Sequence, residues 1–385
     1  MQEYIFDNNV KLLVGDRAIY NLPYELAQLN CKRVLLLSDE ISYRVGNWNH
    51  IKNIFKSQNI EISATYRKIQ DVATDKDCER IAINYKAGNC DCIIAVGKKA
   101  AVMAAKGAKI LLTEDQNYIS HYATDGIDNF AVRDVPLIVV PTNLASGFEI
   151  SNFVRISDLK NNKIYEFDTK YAESNIVVVD STMTDTLPPK SIATYGLYAL
   201  ALSIECFAQE DSTLISKIYA DVAIKLVFEY LEKSILKNAE KMYRTKIMEA
   251  VVLAGAAYSM LRKHTLAVIS DVISDRYHAN YSNIFAILFR QYLKKQELGE
   301  SFGYSLNSMI SENDYALIER NKRSERAIFA IESLYDKVNE YVDFNYKLSD
   351  FNIPEEDLDG IAKIVSENCQ AMKEEDILTL LNESY

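Results

Sequence analysis

The chain has 385 residues, 49% hydrophobic and 25% charged, with 54 acidic against 43 basic side chains and a net charge of −11. That is enough apolar material for two domains, and an acidic chain with no stretch concentrating Lys and Arg carries no nucleic-acid footprint. The opening MQEYIFDNNVKLLVG lacks the basic-then-apolar order of a signal peptide, and no apolar run is expected to reach the roughly 18–20 residues that span a bilayer, so the expectation is a cytoplasmic protein away from membranes.

In chain order, the first half alternates short apolar runs with helical stretches. VLLLSD at 34–39 and CIIAVG at 92–97 read as buried strands, as do LIVVPT at 137–142 and NIVVVD at 175–180. Continuous apolar runs of this kind, separated by amphipathic segments such as 75–87, predict a parallel sheet covered on both faces. In that architecture ligands meet the carboxyl ends of strands, so Asp39, Gly97 and Thr142 should face one crevice. Six cysteines are present. Cys31, Cys90, Cys92, Cys206 and Cys369 fall mostly in apolar segments, and Cys90-Asp91-Cys92 has one residue between its sulfurs where a redox or zinc motif has two. Buried, reduced thiols are the expectation.

After Leu187-Pro188-Pro189 the pattern changes to apolar residues at three- and four-residue spacing, with no strand to the end of the chain. Helices are expected near 191–207, 214–236, 244–260, 284–293 and 325–342. Pro354, followed by Glu355, Glu356 and Asp357, suits the first turn of another. Residues 1–186 therefore form an α/β domain of dinucleotide-binding type and 187–385 an all-helical one. Glycine supplies only 12 residues, roughly half the usual share of about 7%.

Six segments in order resemble the iron-containing alcohol dehydrogenase family. They are Val14-Gly15 with VLLLSD, PTNLASGFEIS at 141–151, VVVDSTMTDTLPP at 177–189, ATYGLYALALSIECF at 193–207, the Arg244…Ala250…Ala254-Gly255-Ala256-Ala257-Tyr258 series, and the ending IPEEDLDGIAKIV with EEDILTLLNESY. The resemblance implies a dehydroquinate synthase-like fold, hydride transfer between NAD(P) and an alcohol or aldehyde, and a divalent iron or zinc that polarises the substrate oxygen. It also implies pairing into a homodimer through the edge of the nucleotide-binding half, where residues 4–14 have a β-rich character, and a small ligand in an interdomain cleft. A sugar-phosphate cyclase of the dehydroquinate synthase type also needs NAD and a metal. The Leu-Pro-Pro and Ile-Glu-Cys-Phe segments favour the alcohol dehydrogenase branch.

Carried over residue by residue, the resemblance breaks at the chemistry. The family's Asp ligand falls on Tyr198 and its His, four residues later, on Leu202. The other two His positions fall in a segment with a short deletion, where Asp271 and His278 are weak candidates, with Asp275 beside them. These and His264 recur at helical spacing, which also describes a polar stripe. In the phosphate loop, aligned with Ala-Val-Gly-Gly-Gly-Ser, Gly97 and Lys106 are kept, while two glycines are Lys98 and Lys99, the serine is Ala100 and a later aspartate is Met103. A Cβ there obstructs a pyrophosphate. The lysines either offer charge to an anion or line a solvated loop. Asp39, Thr142, Asn143, Ser146 and Lys163 match cofactor-side positions. The expectation is a family member lacking the usual metal site and activity, with an active oxidoreductase carrying a rebuilt site as the alternative.

Overall fold

A computed structural model describes residues 8–58, 60–113, 117–125, 134–209, 212–236, 240–261, 265–295, 300–344, 347–369 and 372–385. His264 and residues 4–7 of the expected dimer edge lie outside them. The chain divides into two compact units that meet in sequence between Thr186 and Leu187.

The first unit holds eight strands: β1 (Lys11–Val14), β2 (Arg33–Asp39), β3 (Glu61–Ile69), β4 (Cys92–Gly97), β5 (Leu137–Pro141), β6 (Phe153–Asp158), β7 (Lys163–Asp168) and β8 (Ile176–Val179). Six form a parallel sheet in the order β1-β8-β5-β4-β2-β3, and β6 pairs antiparallel with β7. The four strands expected from apolar runs are β2, β4, β5 and β8. Alternate residues of these strands, Val34 and Leu36, Ile94 and Val96, Ile138 and Val140, Ile176 and Val178, join Ile19, Leu22, Trp48, Ile51 and Phe55 in one core layer. Burial on both faces at about 25 cal/mol per Å² of apolar area makes this sheet the stable centre of the unit. β3, β6 and β7 were not anticipated. β3 reads EISATYRKI and is mostly exposed or half-buried at the sheet edge, so it lacks an apolar run. In β6 the buried Arg155 pairs with Glu166 of β7, which hides a charge inside a strand.

Between β2 and β4 the sheet reverses its direction of growth, because β3 was added on one side of β2 and β4 on the other. The carboxyl ends of these two strands, Asp39 and Gly97, flank that switch point, where open α/β sheets place their ligands. Immediately after Gly97 the chain enters the helix Lys99–Thr113, in which residues 100–113 are all buried. The Lys98-Lys99 segment is therefore a half-buried helix start and not a solvated loop, because the helix it opens packs against the sheet.

The second unit has no strand among the described residues. Its main helices are Pro189–Ala208, Leu214–Ile235, Lys241–Ser259, Thr265–Tyr277, Tyr281–Lys295, Arg323–Val342, Leu358–Asn368 and Glu374–Ser384. Pro354 stands one turn earlier than expected, ahead of a 3₁₀ turn, Glu355–Asp357, that leads into the helix from Leu358. One expectation needs correction. Pro189–Ala208 is long and apolar enough, by length and composition alone, to cross a membrane. It is instead a core helix: 89% of its apolar window is buried within the protein. An apolar surface on all sides is what a helix surrounded by other helices requires.

Candidate cofactor and metal residues

At the strand ends of the α/β unit, one carboxylate organises three elements. Asp39 is 2% exposed. Its Oδ1 accepts the backbone N–H of Ser42 at 2.8 Å and caps the short helix Glu40–Arg44, while Oδ2 accepts the Ser42 hydroxyl at 2.9 Å and the Lys98 N–H at 2.8 Å. The Ser42 Oγ reaches Thr142 Oγ1 at 2.5 Å, and the Thr142 N–H donates to the Gly97 carbonyl at 3.3 Å. Asp39, Gly97 and Thr142 are thus brought together as their positions at strand ends predict. A Cβ on Gly97 would lie 2.2 Å from Asp39 Oδ2 and 2.7 Å from the Ala101 Cβ, so glycine is required for this close approach. Ser42 went unrecognised in the sequence, although an Asp three residues ahead of a Ser at a helix start is a capping signal.

The loop after β5 continues this frame. Residues 141–151 are buried throughout, including Asn143 and Ser146. The carboxylate of Glu149, fully buried, accepts the N–H groups of Ser146 and Gly147, whose φ of 87° suits glycine. Lys106, also fully buried, donates its ammonium to the carbonyls of Phe148, at 2.6 Å, and Ser151. Burial pushes its pKa down to about 7, opposed by the nearby Glu149 charge. The ammonium of Lys99 lies 5.7 Å from the centre of the Phe148 ring. Lys163 is exposed and opens β7, opposite Asp158 in the two-stranded sheet.

In the helical unit, Tyr198 and Leu202 lie on Pro189–Ala208 and both are fully buried. The Tyr198 ring meets Phe285 edge to face at 5.3 Å and Tyr281 at 5.8 Å, and Phe285 in turn meets Tyr258 at 5.8 Å. Such pairs contribute about 0.5–1.5 kcal/mol each beyond the area they bury. Asp271 is buried on the helix Thr265–Tyr277, Asp275 is half-buried, and His278 is exposed just past the helix end with a φ of 54°. The three candidates therefore occupy three different environments. Three residues beyond Leu202, Glu205 is 3% exposed, one of its carboxyl oxygens has no hydrogen-bond partner among the described residues, and burial pushes its pKa up to about 8. In the sequence Glu205 is visible only as one position of the Ile204-Glu205-Cys206-Phe207 segment.

Comparison with known proteins covers nearly the whole chain. The family profile described as iron-containing alcohol dehydrogenase matches residues 9–181. The C-terminal profile of the same family matches 192–385. A choline dehydrogenase of Bacillus subtilis is 24% identical over 244 residues, 63% of this chain, and the match spans 60% of that protein's length. A sulfoacetaldehyde reductase of Bilophila wadsworthia is 21% identical over 392 residues, 97% of each. Among solved structures, an alcohol dehydrogenase from Oenococcus oeni superposes with a TM-score of 0.85 at 20% identity over 100% of both chains. A 1,3-propanediol oxidoreductase does so at 0.84 and 18% identity, over 99% of this chain and 100% of that one. The chain belongs to the iron-containing alcohol dehydrogenase family.

Proposed function

We propose that this protein keeps the family's architecture but not its metal-dependent oxidation of alcohols or reduction of aldehydes, and that it acts in the cytoplasm as a homodimeric binder of a small ligand. The observation that carries the reading is Tyr198. A phenol replaces the family's Asp ligand and is locked by edge-to-face contacts with Tyr281 and Phe285. Leu202, which has no donor atom, replaces the His one turn on. A divalent cation needs charged or imidazole donors converging on it; Leu202 offers none, and Tyr198 offers a neutral phenol whose ring packs against Tyr281 and Phe285. The family's iron or zinc does not fit these residues.

The nucleotide pyrophosphate fits poorly for a second reason. The N–H of Lys98, at the start of the helix that would face phosphate, is already held by Asp39 at 2.8 Å. The Cβ atoms of Lys98 and Lys99 stand where the family has glycine. An active oxidoreductase with a rebuilt site is the second reading. The buried carboxylate of Asp271 and the dehydrogenase and reductase names of its relatives support it.

Titration of the purified protein with NADH and NADPH, followed by nicotinamide fluorescence, separates the two. The expected outcome is dissociation at millimolar levels or no binding, improved by the Lys98→Gly/Lys99→Gly variant without the appearance of turnover. Micromolar binding by the unaltered protein, with aldehyde reduction after iron loading, would establish the second reading.

A further inference from the structure

At the opposite end of the sheet from Asp39 and Gly97, two cysteines and an aspartate converge. Cys31 follows the helix Leu22–Gln28, its N–H held by the Leu26 carbonyl at 2.9 Å. Cys92 is the first residue of β4, in register with Val34 of β2. Asp91 precedes it, and its N–H donates to the Arg33 carbonyl at 2.9 Å. The sulfurs and a carboxylate oxygen all lie within 4.8 Å of one another. Cys31 is 5% exposed and Cys92 fully buried, while Asp91 is half-buried. β4 separates this cluster from the Gly97 end by roughly 16 Å, at about 3.3 Å per residue, so it is no part of the strand-end crevice.

We infer that Cys31, Asp91 and Cys92 form a binding site for one thiophilic divalent cation of the zinc group. Two thiolates and a carboxylate are soft-to-borderline donors that favour such a cation over magnesium or calcium. Zinc–sulfur bonds of about 2.3 Å place tetrahedral sulfurs near 3.8 Å apart, a spacing inside the 4.8 Å that bounds this cluster. The backbone presets the third ligand. Asp91 Oδ2 accepts the Lys32 N–H at 2.9 Å and Oδ1 the Arg33 N–H at 2.9 Å, an outer-shell support of the kind that orients ligating carboxylates. A carboxylate has about four acceptor positions, so two remain. Binding releases the two thiol protons to solvent, so affinity rises with pH. Three protein donors leave a fourth position to water on the half-buried Asp91 side.

The test uses the full chain, reduced, stripped with a chelator and titrated with Cd²⁺, whose thiolate complexes absorb in the ultraviolet. The expected result is a single endpoint at one Cd²⁺ per chain, competed by Zn²⁺. Cys31→Ser should weaken binding at least about tenfold, whereas Cys369→Ser, in the helical unit, should leave it unchanged. X-ray absorption at the cadmium edge of the unaltered protein should count two sulfur neighbours, a readout that needs no variant to fold. Absence of the thiolate band, an endpoint indifferent to Cys31→Ser, or a sulfur count of zero or four would overturn the assignment.

Discussion

The strand ends of the α/β unit and the Tyr198–Leu202 turn of the helical unit have diverged from the family in different ways. At the strand ends, the retained residues hold backbone to backbone. Asp39 joins β2 to the start of the Lys99–Thr113 helix, Lys106 ties that helix to the carbonyls of Phe148 and Ser151, and Glu149 caps the loop between them. Each of these groups is buried and hydrogen-bonded within the protein itself, so losing it leaves unpaired polar atoms that cost about 1–3 kcal/mol apiece. Tyr198 and Leu202 instead sit in a packed helix face, with the Tyr198 ring against Tyr281 and Phe285. Under the proposed loss of the ligand role, a buried helix face is best filled by apolar volume, and aromatic and aliphatic side chains fill it.

The contrast is sharpest if the family's ligands are put back. Tyr198→Asp with Leu202→His should lower stability by roughly 3–5 kcal/mol, since it empties a packed aromatic cluster and buries a carboxylate there. Chemical denaturation measures this directly. A double variant as stable as the parent, or one that regains its stability on adding Fe²⁺ or Zn²⁺, would mean the helical unit still encloses a metal-sized pocket.

A smaller effect separates the two regions by pH. Glu205 in the helical unit has its pKa raised by burial, to about 8 in the folded chain against 4.5 for an ordinary glutamate. The folded state binds the proton more tightly, so stability is fullest below about 4.5 and is lost as pH rises through 8. Lys106 in the α/β unit behaves oppositely: burial lowers its pKa from 10.5 to about 7, so its contribution increases as pH climbs from 7 to 10.5. Melting temperatures from pH 5 to 8 should fall less steeply in Glu205→Gln than in the parent. Parallel curves would remove Glu205 as a titrating core group.

Much of the fold was legible because burial leaves a strong pattern. β2, β4, β5 and β8 are short unbroken apolar runs, and the long helices of the second unit repeat their apolar residues every three or four positions. β3 and the β6–β7 hairpin escaped notice because exposed or ion-paired residues interrupt them. Alignment to family motifs located Tyr198 and Leu202, but not their packing against Phe285, which lies more than eighty positions downstream. The convergence of Cys31 with Asp91 and Cys92 is likewise a product of parallel strand pairing that spacing within Cys90-Asp91-Cys92 does not reveal.

The proposed replacement of the metal centre by packed side chains is tested most directly by an anomalous difference map from crystals of the full chain soaked in Zn²⁺. The map should show no peak within bonding distance of Tyr198, Leu202, Asp271 or His278, whatever appears beside Cys31 and Cys92. A peak coordinated by the Tyr198 hydroxyl and the Asp271 carboxylate would contradict it and restore a working metal site to the helical unit.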